Sequence, residues 1–534
     1  MIGSHLSRWR WPVLLVAVFI GAQLQAINYG TKINDAPHIR DYLISSDMIT
    51  GSALERDRIV GAGAGESLDR WMTRFKLYSV EADEHVNILA LSRIKPDQGL
   101  FDPHFYQYGG AWLYPLGAWY FALSKLGAVS VAPLTTYLQQ PGLMDNVYIW
   151  GRILVLISIS GAALILFAAC RRFLPNVDSL MCMLLFLAAP GTIMFSQIMK
   201  PHWYALIWVC SALFILTRGP AKLSWRSWDT FLLGVFLGLA VGSVLTFGLF
   251  AALCWFALLV FVSRSQVPNH ALIFVPLIAT GVYLITNPFV LLNWSTFSAE
   301  ASIVGDWFSL GLDFGSVLSF LDNSLLPSFG IGTVLMITGV GIYHVRSAAK
   351  LPLAWFLIAA AGIVIFIAFL TASIATWHTN SRYIAYLLPS GILFLAIVNW
   401  PRRRTFLAIA LVLTIVQSAP LALAYHDENS PIHSTRLAAA HWVHENVPAN
   451  SAICVGTKTA APYDVPPVDF TRYLINHPSC NLKIVIERSP DSLKIIEGMT
   501  IEKRFQPRFS PQHFPLVFSH INPQISIYRR ADTN

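Results

Sequence analysis

The chain has 534 residues, of which 55% are hydrophobic and only 12% charged, with a mean hydropathy of +0.55. A soluble domain carries about 25% charged residues, so a water-soluble globular protein is excluded and a polytopic membrane protein is indicated. The formal charge of +8 does not build a nucleic-acid patch, because its Lys and Arg sit in short clusters between apolar runs, as cytoplasmic loop charge does.

Residues 11–27, WPVLLVAVFIGAQLQAI, follow Arg8 and Arg10 and are about long enough to cross a bilayer core. A cleaved signal peptide ending near AQLQA is the competing reading, and under either one the next segment lies outside. Residues 28–110 are polar throughout, with GAGAG at 61–65 marking a flexible turn region. Within them, Val80 to Ile94 carries Val86, Ile88, Leu89, Leu91 and Ile94, enough for one greasy side of a short interfacial helix. Asp83 and Asn87, one turn apart, would share its polar edge. Tyr78 to Pro115 is the stretch with most chemistry: two adjacent carboxylates, Asp83 and Glu84, then Phe101, His104, Phe105, Tyr106, Tyr108, Trp112 and Tyr114.

Residues 111–131 are long enough to cross but contain Pro115, Lys125 and two glycines. Later apolar runs fall near 149–170, 178–196, 203–217, 229–246, 247–263, 271–287, 329–345, 351–371, 383–400 and 405–424. If 111–131 stays in the interface, the alternation puts Arg171/Arg172, Arg218/Lys222/Arg226, Arg264, Arg346/Lys350 and Arg402/Arg403/Arg404 on the side of Arg8 and Arg10, the cytoplasm by the positive-inside rule. If it crosses, all those clusters flip outward. The expectation is therefore about eleven transmembrane helices plus juxtamembrane helices in residues 1–424, with 28–131 as the first extracytoplasmic loop. The N-terminus is cytoplasmic and the C-terminal segment 425–534 is periplasmic or extracellular. The 35 residues of 229–263 are split into two spans around Gly242, Ser243 and Gly248.

The outer loops then hold Lys200-Pro201-His202-Trp203-Tyr204, Asn287 to about Leu312, and Trp377 to Tyr383 with His378 and Arg382. From Tyr425 the composition becomes soluble: Ser434 to Val447 predicts a helix stopped by Pro448, and SAICVG, NLKIVIE, PLVFSH and ISIYRR predict strands of a small α/β domain. Cys170, Cys182, Cys210 and Cys254 lie in apolar runs as small hydrophobes. Cys454 and Cys480 lie in the tail, where pairing depends on the compartment and on a distance that sequence does not give. No Cys/His spacing for structural zinc occurs.

A carboxylate at a membrane surface can deprotonate an acceptor, cations can bind a phosphate leaving group, and aromatic rings can stack on a sugar or an isoprenoid. The run SVEADEHVNILALSRI followed by FDPHFYQYGGAWLYPL resembles the Asp-Glu first-loop motif and the aromatic segment after it in lipid-carrier-dependent glycosyltransferases of the GT-C superfamily. That group contains protein O-mannosyltransferases and aminoarabinose transferases. In the same order, NVYIWGRILVLISISGAALILFAACRRF resembles the family's Arg-Leu helix, TNPFVLLNWSTF its Asn-Pro-Tyr-Leu-Leu-Asp loop, SRYIAYLLPSGILFLA its Arg-Tyr-Leu-Leu-Pro helix, and TRLAAAHWVHENVPANSAICV the opening of its outer tail. The resemblance covers roughly residues 78–460.

It implies a GT-C-like, mainly α membrane domain and an enzyme of the plasma membrane. The activity would be inverting transfer of a sugar from a polyprenyl-phosphate carrier to a glycan, lipid or protein acceptor on the non-cytoplasmic face. Asp83 matches the catalytic aspartate and Glu84 its neighbour. By position, Arg382 and Lys200 are the candidates for the phosphate cation, with His202 and His378 as donors, and His104, Tyr106 and Tyr108 are candidates for the acceptor or sugar. Arg382 has a second reading, as an anchor that snorkels to lipid headgroups. Some superfamily members use a divalent metal; Asp83, Glu84 and His85 carry suitable atoms, yet consecutive helical residues point in different directions and rarely chelate one ion, so no metal ligand is assigned. The chain departs from aminoarabinose transferases in having Tyr108-Gly109-Gly110-Ala111 where they carry Lys-Pro-Pro-Leu. Two rivals share lipid-linked substrates: a transporter or flippase, which would place ionisable groups at mid-membrane in two related halves, and an O-antigen ligase of unrelated fold, which would depend on outer arginines and histidines rather than on Asp83.

Overall fold

The computed structural model describes residues 2–31, 36–44, 68–81, 83–219, 227–263, 269–306, 325–346, 381–455, 465–487, 498–509 and 521–530. Two described helices are long and apolar enough to cross a membrane, Pro141–Cys170 and Arg403–Asp427, and a third span results if Asn176–Ala188 and Pro190–Ser196, bent by 58°, are taken together. The bend has a local cause: Ala189 is extended, at φ −58 and ψ 132, as the residue before Pro190 must be. Seven shorter apolar helices of 10–17 residues accompany them. Every predicted apolar run on described residues is helical; the run 351–371 lies outside them, and by length alone the expected eleven crossings are not reached.

The split of 229–263 occurs at Val244, an extended residue followed by a single 3₁₀ turn, Leu245–Phe247. It divides α1 (Trp228–Ser243) from α2 (Gly248–Ser263). Gly234, Gly238 and Gly242 form a stripe along α1 against α3 (Ala271–Thr286): a Cβ on Gly234 would lie 2.7 Å from Ile278 and one on Gly238 2.6 Å from the Ala279 carbonyl. Small residues four apart let two apolar helices approach to backbone contact.

The ambiguous run 111–131 forms the helix Gly110–Lys125. Its first turn is tied to the ends of α1 and α3, with Gly109 N donating to Ser243 O (3.0 Å) and Gly110 N to Asn287 Oδ1 (2.8 Å). Its middle lies beside the first turns of Pro141–Cys170, where Tyr120 Oη donates to Val147 O (2.7 Å) and Trp119 Nε1 to Trp150 O (2.9 Å). The chain then reaches Leu138, whose carbonyl accepts from Lys76 Nζ (2.8 Å) in the first loop.

The C-terminal region carries the predicted helix, Thr435–Asn446, with Ser434 as its N-cap accepting from Leu437 N. Its five-stranded sheet has the order β2-β1-β3-β5-β4, with β1 (Ala452–Val455) parallel to β2 (Leu474–Ile475) and β3 (Leu482–Ile486), and β5 (Ile525–Arg530) antiparallel to β3 and to β4 (Met499–Phe505). Strands β2 and β4 were not expected, and the predicted strand PLVFSH lies outside the described residues. Cys454 and Cys480 form a disulfide, while the four cysteines of the apolar runs are free and buried. The core of this sheet is shared with the first loop: Ile39, Trp71, Met72 and Phe75 pack with Val443, Val468, Phe470, Ile484 and Ile527.

Candidate functional site

Residues 77–81 are tied to their surroundings at several points. Tyr148 Oη donates to Leu77 O (2.6 Å), and Val80 packs on Gly30, a residue at φ +67 whose N–H is bound by Asn429 Oδ1 (2.9 Å). Ser79 Oγ donates to Glu84 Oε2 (2.6 Å) and accepts from Glu81 N (3.1 Å), closing the turn. Asp83 follows with non-helical backbone, φ −107 and ψ 1, and the helix Glu84–Arg93 begins after it.

Asp83 and Glu84 point to different partners. Glu84 is fully buried and saturated: Arg152 Nε and Nη2 donate to its two oxygens at 2.8 and 2.6 Å, and Met199 N donates to Oε1 (2.7 Å). Arg152 completes the knot by donating to Ile27 O and Tyr29 O, both at 2.8 Å. The Glu84 carboxylate thus accepts from an arginine fork, a hydroxyl and an amide, contacts that join the first loop to the bundle. Asn87 also turns inward rather than along a polar edge, donating to Met199 O (2.9 Å) and accepting from Trp112 Nε1 (2.7 Å).

Asp83 keeps a 37% exposed side chain and meets two cations from distant elements: Arg382 Nη1 at 2.8 Å and Lys200 Nζ at 3.1 Å. Burial alone would raise its carboxyl, but Lys200 and Arg382 outweigh that and hold it well below the usual carboxylate range. Lys200 is itself the extended residue, at φ −133 and ψ 147, that precedes the turn Pro201–Tyr204, and its ammonium is shared with Glu81 Oε1 at 2.5 Å. Arg382 precedes the helix Leu387–Ile397; it is only 14% exposed and its Nη2 donates to Tyr383 Oη (3.1 Å). This placement puts the Arg382 guanidinium in the cluster with Asp83. His202 is buried, its Nδ1 has no hydrogen-bond partner among the described residues, and its ring stands edge-on to Tyr108 (6.0 Å) and Tyr383 (5.6 Å).

Asp83, Lys200, Arg382, His202 and Tyr108 are thus brought together. His104 and Tyr106 are organised instead around Asp102: Tyr106 Oη donates to both its oxygens (3.1 and 3.0 Å), Asn293 Nδ2 reaches Oδ2 (3.1 Å), and Tyr106 N donates to Glu300 (2.9 Å). His104, exposed and in the left-handed region at φ 45, is fixed by its N–H on Asp102 (2.8 Å). His378 lies outside the described residues. Sequence reasoning missed Glu81 and Arg152. The signal for Arg152 was a lone guanidinium in an apolar run; that for Glu81 was a third acid two positions before Asp83. Among the described residues no group of three His, Cys, Asp or Glu side chains is arranged to hold a metal.

No family model matches the sequence, and no curated protein matches it. Among solved structures the chain is similar to ArnT from Cupriavidus metallidurans bound to undecaprenyl phosphate, at 12% identity and a TM-score of 0.45, covering 98% of this chain and 99% of that one. It is similar to the Archaeoglobus fulgidus oligosaccharyltransferase tethered to an acceptor peptide, at 14% identity and a TM-score of 0.43, with 86% of this chain and 64% of that one covered. For the arabinofuranosyltransferase AftD from mycobacteria the values are 13%, 0.36, 98% and 40%.

Proposed function

We propose that this chain is an integral membrane glycosyltransferase that moves a sugar from a polyprenyl-phosphate carrier to a hydroxyl or amine acceptor on the outer face of the membrane. The 1–424 segment would form the membrane domain and 425–534 the outer domain. The observation that supports the reading most is the carboxylate of Asp83, open to solvent on one side and bound on the other by cations from two elements far away in the sequence.

The donor is a phosphodiester with one negative charge. When its phosphate enters the cluster, Lys200 and Arg382 turn part of their charge toward it, with the His202 ring beside them. As they leave Asp83, its carboxylate becomes a stronger base. The acceptor attacks the anomeric carbon from the face opposite the phosphate, its proton passes to Asp83, and the carbon–oxygen bond to phosphate breaks with the electron pair staying on oxygen. The products are the glycosylated acceptor and polyprenyl phosphate, and configuration inverts. Donors aimed at charge that develops on the leaving group lower the barrier because they need no reorganisation at that moment.

The test is release of polyprenyl phosphate by the purified chain in bilayers supplied with a panel of polyprenyl-phosphate-linked hexoses and pentoses. Asp83→Asn should accumulate and fold normally while turnover falls by about 10²–10⁴-fold, the range for a positioned general base. Undiminished turnover in that variant would remove Asp83 from the reaction.

A further inference from the structure

Glu81 is a buried carboxylate that the transfer step does not use. It lies two residues before Asp83, in the turn closed by Ser79 and next to Val80, which packs on Gly30. Its cation among the described residues is Lys200, at 2.5 Å, and the same ammonium reaches Asp83 at 3.1 Å. Glu84, the remaining acid of the segment, is neutralised separately by Arg152. The open cluster therefore holds two anions, Glu81 and Asp83, against two cations, Lys200 and Arg382, and is electrically balanced with nothing bound.

That balance matters because the reaction increases the charge on phosphate. The donor diester carries one negative charge; the product, a monoester, carries between about 1.5 and 2 near neutral pH, as other phosphomonoesters do. Two cations without a competing anion would grip the product more tightly than the donor and hold the enzyme in its product complex. A fixed carboxylate against one of the cations opposes this.

We propose that Glu81 is a product-release residue: it competes with phosphate for the Lys200 ammonium, loosening the grip on polyprenyl phosphate and returning Lys200 to its resting position after each transfer. It is a positioning residue, acting through Lys200 without touching substrate. The inference rests on the phosphate reading of the cluster above.

The test uses undecaprenyl phosphate as the probe, bound to the full-length protein in detergent micelles. Glu81→Gln keeps the size of the side chain and removes its charge; it should bind the probe about tenfold more tightly, as expected for deleting a like charge several ångströms from the phosphate. Its first turnover should proceed at the wild-type rate while steady-state turnover falls, a split that a merely structural defect would not give. Glu81→Asp, with the charge drawn back by one methylene, should fall between the two, and decides the matter alone if Glu81→Gln does not accumulate. In a Lys200→Met background the Glu81→Gln gain should vanish. Wild-type affinity in both Glu81 variants, with binding to the wild type intact, overturns the role of Glu81 and leaves the phosphate reading standing. Failure of all forms to bind overturns the phosphate reading and this inference with it.

Discussion

Three carboxylates within four positions, Glu81, Asp83 and Glu84, meet different surroundings because the chain changes direction between them. Glu84 starts a helix that faces the bundle and finds Arg152, whereas Asp83, still outside the helix, faces the opening. Replacing Glu84 by Gln leaves the Arg152 guanidinium buried with half its partner, and breaking a buried pair from one side costs about 3–5 kcal/mol. Glu84→Gln should therefore show a markedly lowered melting temperature in detergent, whereas Asp83→Asn should not; equal melting would place Glu84 outside the structural knot. Asp83 predicts a pH signature. Its carboxyl is held below the ordinary range by Lys200 and Arg382 against the opposing effect of burial, so it stays ionised at all pH above that depressed value, and activity is lost only as pH falls through it. Lys200→Met removes one of the cations, which raises the carboxyl, so the acid limb of kcat/KM should move to higher pH. A limb that stays in place would mean that another group titrates. The structure brings together Asp83, Lys200, His202 and Arg382, which were legible as candidates from residue type and from the family resemblance. Which of two adjacent acids faces the opening was not, because that depends on where the helix begins, and a boundary displaced by a single residue exchanges their roles.

Among the elements, the helix Gly110–Lys125 is tied to the first-loop helix through Trp112 on Asn87, and Gly109 links it to Tyr108. Its placement depends on two glycines. A Cβ on Gly109 would stand 1.8 Å from the Gly242 carbonyl oxygen and one on Gly110 1.9 Å from that of Thr286. These are backbone atoms that cannot rotate away. Gly109→Ala should therefore push the helix off the ends of α1 and α3, at the upper end of the about 1–3 kcal/mol that overpacking costs, and should lower activity more than stability because Tyr108 moves with it. Wild-type turnover in Gly109→Ala would show that the contact is not needed. The sequence marked the same place as unusual, since Gly109-Gly110 stand where related motifs carry Pro-Pro, but only the packing of three backbones says why. The helix that forms in 111–131 meets Ser243 and Asn287 at its start and the first turns of Pro141–Cys170 at its middle, and the chain after it returns to Lys76. The strands missed in the tail were missed for an ordinary reason: β4, MTIEKRF, is exposed at most positions and lacks the apolar alternation that marks a half-buried strand.

At the scale of the whole molecule, the first loop and the tail pack as one unit. Asn429 bonds Gly30 N and Asn28 O, Glu428 accepts from Arg436 and from Asn522 N, and Tyr29 stacks edge-on against Tyr425 at 4.6 Å while its ring lies 4.4 Å from the Arg152 guanidinium. Loop and tail are therefore packed against each other. Packing runs across the division at residue 424 that composition suggests, since Trp71 and Phe75 of the loop lie 5.4 and 4.9 Å from the ring of Phe470 in the tail. Phe470→Ala, far in sequence from every site residue, should cost about 3–5 kcal/mol and release the helix Leu68–Leu77, which leads directly into the Ser79–Asp83 turn. Limited proteolysis should then cut within residues 68–77, and turnover should fall although Asp83, Lys200 and Arg382 are all present. If the tail were an independent appendage, the same substitution would leave the loop protected and the reaction rate unchanged.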